Sequence, residues 1–202
     1  KTFKLLKKAR NEKKFGIQIF TSSPKTAAVC AKMINKYEPS IIDLNCGCSI
    51  KKVLKTGSGA ALLRNPHKIM EIVKAIKNET DVPVSVKLRS GWDSDSINYL
   101  KNAEYAVKSG AELITLHPRT KAQLFSGKAE LMHLADLKKN SSVTVIGSGD
   151  LFTVTDIKNM LEKTRCDGIM IARGSLGNPF LFKQAITYLK KSGSIEKPSD
   201  QK

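Results

Sequence analysis

The chain of 202 residues is poor in cysteine and in acidic side chains, and it contains no long apolar run. Its four cysteines lie far apart except for Cys46 and Cys48, whose spacing fits neither a disulfide framework nor a zinc site. No apolar stretch approaches the roughly 20 residues of a membrane-spanning helix, and the basic start lacks the apolar core of a signal peptide. These absences predict a cytoplasmic protein with reduced thiols, no bound metal and no membrane association.

The shortage of acidic residues leaves the chain strongly basic. Eighteen Asp and Glu residues stand against 35 Lys and Arg residues, which gives a formal net charge of +17. A field of this size attracts polyanions and accelerates their association, so nucleic acid is the natural partner. A lysine-rich composition with solvated surface charge explains the same number, and charge alone leaves both interpretations open.

The chain is 41% hydrophobic and 26% charged, which is typical of one globular domain. Short apolar runs alternate along it with longer amphipathic segments. The predicted strands are Gly16–Phe20, Ile41–Asn45, Val82–Leu88, Leu113–His117, Val143–Gly147 and Gly168–Ala172. The predicted helices are Pro24–Tyr37, Pro66–Glu79, Ser96–Ser109, Ala129–Lys139, Val154–Lys163 and Pro179–Lys191. Strict alternation of this kind indicates a parallel sheet covered by helices.

Two parallel architectures remain, an open doubly wound sheet and a closed eight-stranded barrel. All six predicted strands carry polar residues at their carboxyl ends, and only a barrel brings every strand end to one mouth. The predicted fold class is therefore α/β, a (β/α)8 TIM barrel of which the chain holds about six βα units. We expect the two missing strands to lie upstream, with residues 1–14 as a basic lead-in, residues 15–191 as the barrel and residues 192–202 as the start of a linker.

The most informative segment is Asp43–Ser49, which places a thiol at the end of a predicted strand. Together with five further motifs in the same order, it resembles the tRNA-dihydrouridine synthases. The six motifs are Ile17-Gln18-Ile19-Phe20, Asp43-Leu44-Asn45-Cys46-Gly47-Cys48, Val86-Lys87-Leu88-Arg89-Ser90-Gly91, Leu116-His117-Pro118-Arg119-Thr120, Gly147-Ser148-Gly149-Asp150 and Gly168-Ile169-Met170-Ile171-Ala172-Arg173-Gly174. The resemblance runs from about residue 15 to residue 189.

The resemblance implies an FMN-dependent oxidoreductase that reduces the C5=C6 bond of uridines in tRNA, with NADPH or NADH as the reductant. It also implies a TIM barrel followed by a small helical domain, which would begin about where this chain stops. The expected partner is tRNA, and we expect a monomer.

The resemblance also implies roles for individual residues. Cys48 matches the family's proton donor, which suits a thiol because an unperturbed thiol, with a pKa of about 8.5, remains mostly protonated at neutral pH. Lys87 matches the lysine that reaches the flavin ring, and His117 matches a flavin-contacting histidine. By contrast, Cys46 is interpreted as a packing residue, as are Cys30 and Cys166.

The remaining expected contacts fall into two groups. The cofactor-binding residues are Gln18, Asn45, Lys87, His117, Ser148, Gly149, Asp150, Ala172 and Arg173. The RNA-binding residues are Lys51, Lys52, Arg89 and Arg119, and Arg119 could instead contact the flavin. Ser148 replaces the family's usual asparagine and Ser49 its usual proline, which questions one amide contact and the stiffness of the cysteine loop.

Two other functions fit parts of the same pattern. One is a different FMN barrel oxidoreductase acting on a small pyrimidine or enone, for which so basic a surface is unnecessary. The other is a flavin-free RNA-binding paralogue, suggested by the missing strands and by Ser49 and Ser148. Binding of flavin by the full-length protein distinguishes this second alternative from the enzymes.

Overall fold

A computed structural model describes Leu6, Lys8 and residues 12–191 of the chain, with only the backbone of Lys191 described. The predicted lead-in 1–14 lies largely outside the described residues, and the predicted linker 192–202 lies outside them entirely. The strands are β1 (Gly16–Ile19), β2 (Ile41–Cys46), β3 (Val84–Arg89), β4 (Leu113–His117), β5 (Thr144–Ser148) and β6 (Gly168–Met170). The helices are α1 (Pro24–Ile34), α2 (Lys51–Lys55), α3 (Pro66–Lys77), α4 (Tyr99–Lys108), α5 (Leu131–Asn140), α6 (Val154–Thr164) and α7 (Leu181–Lys191).

The six predicted strands and six predicted helices are confirmed, with differences at their ends. Strand β3 begins two residues later than predicted, after Pro83, which has no N–H to donate. Strand β6 is two residues shorter than predicted, and α7 begins two residues later. Helix α2 was not predicted. It is a five-residue helix whose N-cap residue, Ile50, provides no side-chain hydrogen bond.

Local signals explain where the longer helices begin. Asn65 caps α3 by accepting a hydrogen bond from the N–H of Lys68, and Pro66 occupies the first turn. Thr153 and Asp156 form a capping box at the start of α6, in which each side chain accepts from the other residue's backbone N–H. These caps set the points where the chain leaves the strand-end loops.

The sheet is parallel throughout, and its strands lie in sequence order from β1 to β6. Right-handed crossovers between successive strands of a sequentially ordered sheet place all the helices on one face. A doubly wound sheet would instead reverse direction at a switch point and carry helices on both faces. The observed order is therefore that of a barrel, which confirms the predicted fold class. Among the described residues, β1 pairs only with β2 and β6 only with β5.

The hydrophobic core lies between the sheet and its helices. Strand β2 shows the alternation that produces it, since Ile42, Leu44 and Cys46 are fully buried while the residues between them are only half-buried. Ile69, Ile72 and Ile76 of α3 are also fully buried in this core, and each such side chain contributes about 1.5–3 kcal/mol of transfer free energy. The interpretation of Cys46 as a packing residue is confirmed.

The opposite face of the sheet carries the polar residues. Because side chains alternate along a strand, the pairing of Asn45 with Lys87 and of Arg89 with His117 puts these residues on one face. Every strand contributes at least one side chain to a single cavity at the carboxyl end of the sheet, which requires the sheet to curl, and β3 contributes both Lys87 and Arg89. The strand residues that line it are Gln18, Asn45, Lys87, Arg89, His117, Ser148 and Met170.

Candidate functional site

The cavity at the curled end of the sheet has a volume of about 320 Å³, within the range of small-molecule and cofactor sites. The loops that follow the strands complete it. They contribute Cys48, Gly149, Asp150, Ala172 and Arg173. The structure thus brings together the predicted catalytic residue and the predicted cofactor-binding residues, although their contacts with a cofactor stay predictions.

The loop carrying Cys48 is held by backbone hydrogen bonds. Oδ1 of Asn45 accepts from the N–H groups of Gly47 and Cys48, at 3.1 and 2.9 Å, and the carbonyl of Cys48 accepts from the N–H of Ala60 at 2.9 Å. Gly59 packs directly against this carbonyl, since a Cβ there would lie only 2.8 Å from its oxygen, and its φ of +63° favours glycine. The half-buried thiol is consequently held on a fixed loop.

Gln18, one of the predicted cofactor-binding residues, makes its amide hydrogen bonds within the protein, and its contact with a cofactor stays a prediction. Its side chain is exposed, and both ends of its amide are paired within the protein. Nε2 of Gln18 donates to Asp43 at 2.7 Å, and Oε1 accepts from Nδ2 of Asn45 at 2.7 Å. The amide groups of Gln18 and Asn45 are therefore oriented by the protein itself.

Lys87 lies half-buried in β3 between apolar neighbours. Burial lowers the pKa of its ammonium group, the charge of Asp43 opposes this shift, and the charge of Arg89 adds to it. Within the described part of the chain no group accepts a hydrogen bond from Nζ of Lys87. A partly desolvated cation without an acceptor, facing a cavity, is suited to an anionic or carbonyl-bearing ligand.

His117 is 7% exposed at the end of β4 and is electrically neutral near pH 7. Burial lowers its pKa to about 3, and the charges of Arg89, Lys87 and Arg119 act in the same direction. Gly149 gives the ring its space, because a Cβ at residue 149 would lie 2.7 Å from Cδ2 of His117. The φ of Gly149 is +117°, which also favours glycine.

The low pKa of His117 predicts a pH-dependent stability. The unfolded chain binds a proton near the ordinary pKa of 6.5, whereas the folded protein does so only near pH 3, so the free energy of unfolding falls as the pH is lowered from about 6.5 toward 3. Between pH 7 and pH 5, the free energy of unfolding measured with urea should fall by about 1–2 kcal/mol less in His117→Asn than in the wild-type protein. An equal fall in the free energy of unfolding of both proteins would contradict a neutral His117. The contribution of His133, whose pKa burial also lowers, cancels in this comparison because both proteins contain it.

Arg119 does not face the cavity. Its side chain is 2% exposed and forms a two-pronged ion pair with Asp150, with both N–O distances 2.7 Å. It also donates to the carbonyls of Ser126 and Gly127. Although partial burial alone would raise it, the Arg119 hydrogen bonds and the N–H of Ala129 hold the pKa of Asp150 below its ordinary value. The pair joins the loops that follow β4 and β5.

Arg89 is also committed to the protein. It is 5% exposed, and it donates to the carbonyls of Gly47, Thr120 and Leu124 at 2.8 to 3.0 Å. Burial lowers the pKa of Arg89, and the nearby charges of Arg119 and Arg173 add to this. The geometry assigns Arg89 and Arg119 to the anchoring of loops, and nothing in it supports the RNA contacts predicted for them, which stay predictions.

Lys51 and Lys52, the other two predicted RNA contacts, begin α2 and are exposed. They lie in the loop that follows Cys48, and no ion pair involves either of them among the described residues. Their positive charge is therefore exposed just after the Cys48 loop in the chain. Their contact with RNA stays a prediction.

Two residues of the site escaped sequence reasoning. Phe125 lines the cavity, is 53% exposed and has the guanidinium of Arg173 4.1 Å from its ring centroid. It lies in a loop, where periodicity gives no signal. Asp43 lies on β2 two residues before Asn45. This spacing is the signal that could have identified it, because residues two apart lie on the same face of a strand.

The described residues contain no group of three or more His, Cys, Asp or Glu side chains placed to hold a metal ion. Every helix within these residues is too short or too polar to cross a lipid bilayer. The charged groups at the cavity are predominantly cationic, with Lys87, Arg89 and Arg173 against the single anion Asp150. The cavity is consequently suited to a ligand with negative charge.

The sequence is similar to one known protein family and to curated members of it. A family model described as Dihydrouridine synthase (Dus) matches residues 1–201. A probable tRNA-dihydrouridine synthase of Treponema pallidum is 44% identical, over 91% of this chain and 57% of that protein. The tRNA-dihydrouridine synthase B of Pasteurella multocida is 37% identical, over 91% of this chain and 55% of that protein. The chain therefore spans about half the length of the curated relatives it matches.

Solved structures with a similar fold are more distant in sequence. D-glucarate dehydratase from Agrobacterium tumefaciens superposes with a TM-score of 0.67 at 14% identity, over 95% of this chain and 48% of that chain. Dipeptide epimerase from Enterococcus faecalis superposes with a TM-score of 0.63 at 16% identity, over 95% of this chain and 47% of that chain. At these identities the likeness concerns the fold alone, and it agrees with the barrel-type order of the strands.

Proposed function

Because the chain belongs to the dihydrouridine synthase family, we propose that it carries the flavin-binding barrel of a tRNA-dihydrouridine synthase. This oxidoreductase reduces the C5=C6 bond of uridines in tRNA. The observation that carries the proposal is that Cys48, Lys87 and His117, from three different strands or their loops, line one cavity. Residues from all six strands contribute to that cavity, which is the arrangement of a barrel active site.

The proposed cofactor is FMN, and the residues present fit it. Lys87 provides a half-buried cation without a protein acceptor, suited to the anionic edge of the flavin ring. At the other side of the cavity, Gly149 leaves the backbone uncovered and Arg173 supplies a guanidinium for a phosphate. Phosphate sites near the last two strands are typical of this type of barrel. Asp150, paired with Arg119, would contribute through its backbone because its carboxylate is already engaged.

When bound, FMN would supply a hydride to C6 of the uracil. Reduction also needs a proton at C5, and Cys48 holds that proton on Sγ at the mouth of the cavity. The hydrogen bonds that Asn45 accepts from the N–H groups of Gly47 and Cys48 keep this loop in place, so the thiol is positioned before the substrate arrives. The neutral ring of His117 adds no positive charge beside Lys87, and it can donate one hydrogen bond to a carbonyl or ring nitrogen.

The proposed substrate is tRNA. The +17 charge of the chain supports this, since a polyanion is attracted over long distances by such a field. Lys51 and Lys52 place two exposed cations beside the Cys48 loop, where phosphates flanking a flipped-out uridine would lie. NADPH, or NADH, is the proposed reductant of the flavin, and a cytoplasmic monomer is the proposed state of the protein.

Flavin binding tests the proposal directly. The full-length protein should purify yellow, and Lys87→Ala should raise the dissociation constant for FMN about 10- to 100-fold, the loss expected for one charge-assisted hydrogen bond. Arg173→Ala should weaken binding in the same direction through the phosphate. Fluorescence titration of flavin-stripped protein provides the measurement, with circular dichroism to verify folding.

Lys52→Ala is the matched control for this titration, because it removes an exposed lysine outside the cavity and should leave FMN affinity unchanged. A folded full-length protein that binds no FMN would overturn the proposal. Equal weakening in Lys52→Ala and Lys87→Ala would show that the effect comes from overall charge and not from the cavity.

A further inference from the structure

Four side chains form a continuous hydrogen-bonded relay that ends at the Cys48 loop. Ser85 donates to Oδ1 of Asp43 at 2.6 Å, and Gln18 donates to Oδ2 of Asp43 at 2.7 Å. Asn45 donates to Gln18 at 2.7 Å, and its own oxygen accepts from the backbone N–H of Cys48 at 2.9 Å. Strand register explains the proximity, since Asp43 lies opposite Gln18 on β1 and opposite Ser85 on β3.

The relay has only one possible direction. Backbone N–H groups are donors, so Asn45 must turn its oxygen toward Cys48 and its NH₂ group toward Gln18. Gln18 must then accept with its oxygen, which leaves its own NH₂ group in need of an acceptor. An ionised carboxylate is purely an acceptor, and Asp43 occupies the position where that acceptor is required.

The other groups around Asp43 favour its ionised form. Burial raises the pKa of Asp43 above its ordinary value, and the hydrogen bonds from Ser85 and Gln18 and the charge of Lys87 reduce this rise. In return, the Asp43 charge opposes the loss of the proton from Lys87. Among the described residues, the only carboxylate that lines the cavity is Asp150, and it is already paired with Arg119.

We propose that Asp43 is a positioning residue whose carboxylate fixes the orientation of the Gln18 and Asn45 amides and thereby holds the Cys48 loop in place. Asp43 lies behind Gln18 and Asn45 and acts through them. The effect of Asp43 on the position of Cys48 does not depend on the proposed function. An effect of Asp43 on proton delivery to a uridine rests on that function. Without this acceptor the Gln18 amide would rotate, the hydrogen bond from the N–H of Cys48 to Asn45 would weaken, and the thiol would become more exposed.

The reactivity of the Cys48 thiol tests this role in the full-length protein. Alkylation by iodoacetamide at fixed pH, followed for the Cys48 peptide by mass spectrometry, reports the exposure of this cysteine separately from the other three. Asp43→Ala should accelerate alkylation about fivefold, as expected when one hydrogen bond of about 1 kcal/mol no longer holds the loop. Gln18→Met breaks the relay at an exposed residue and should do the same, which keeps the test decisive if Asp43→Ala folds poorly.

Two conservative variants separate positioning from general damage. Asp43→Asn retains an oxygen that accepts from Gln18, so the alkylation rate should stay within about twofold of wild type. Ser85→Ala removes only the donor to the other carboxylate oxygen and should also leave the rate unchanged. The proposal is overturned if folded Asp43→Ala and Gln18→Met react at the wild-type rate, or if Ser85→Ala accelerates alkylation as much as they do. Failure of the proposed function would appear separately, as absence of flavin binding, because alkylation needs neither FMN nor RNA.

Discussion

Replacement of Cys48 by alanine is expected to reduce the rate of uridine reduction by about 10²–10⁴-fold, the usual contribution of a positioned general acid. FMN affinity should change little, because Lys87, Arg173 and the Gly149 backbone supply the main proposed flavin contacts. Single-turnover reduction of unmodified tRNA by the flavin-loaded full-length protein provides the measurement. The NADPH-dependent bleaching of the flavin, which needs no proton for a uridine, should proceed at the wild-type rate.

Cys30→Ala is the matched control for this prediction. Cys30 lies half-buried in α1, packed against the core and outside the cavity. Its loss should leave both half-reactions unchanged. A Cys48→Ala protein that retains more than about a tenth of the wild-type rate would show that another group or water delivers the proton. A variant that loses flavin bleaching to the same extent would show that Cys48 acts on the flavin and not on the substrate.

The strands and helices of the fold could be predicted from the sequence, because the residue patterns that define them are local. Strand β4 has the predicted bounds, since an apolar run between Gly110 and Pro118 leaves little choice of where a strand begins and ends. The polar residues of the site could be predicted for the same reason. Lys87 and Arg89 alternate with apolar residues in β3, and a period of two places them together on the face away from the helices.

The partners of these polar residues could not be predicted, because they come from loops distant in sequence. Arg89 binds the carbonyls of Thr120 and Leu124, more than 30 residues away, and loop conformation leaves no periodic signal. Arg119 likewise looked like an exposed contact for RNA or flavin, whereas its partner Asp150 follows a different strand. The hydrogen bonds of Gln18 to Asp43 and Asn45 could not be predicted either, because both partners lie on a different strand.

The ion pair between Arg119 and Asp150 carries the second large effect. Arg119 is almost completely buried, and Asp150 accepts two of its N–H groups, the N–H of Ala129 and a longer contact from Arg173. When one partner of a buried pair is removed, the other stays desolvated without its counter-ion, which costs more than the pair contributed. We expect stability and the proposed cofactor binding to be coupled here, because Asp150 follows Gly149 in the loop proposed to hold the phosphate.

Asp150→Ala is therefore expected to lower the free energy of unfolding by about 3 kcal/mol, the lower end for a broken buried pair because Asp150 itself is 32% exposed. Urea unfolding of the full-length protein at pH 7 provides the measurement. Asp150→Asn should lose less, because its amide oxygen still accepts from Arg119 and asparagine tolerates the φ of +51° at this position. Glu71→Ala, which breaks an exposed pair with Lys68 on α3, should cost less than about 1 kcal/mol. Similar losses in Asp150→Ala and Glu71→Ala would mean that water reaches Arg119 once the carboxylate is gone, and the pair would then have no special part in holding the two loops together.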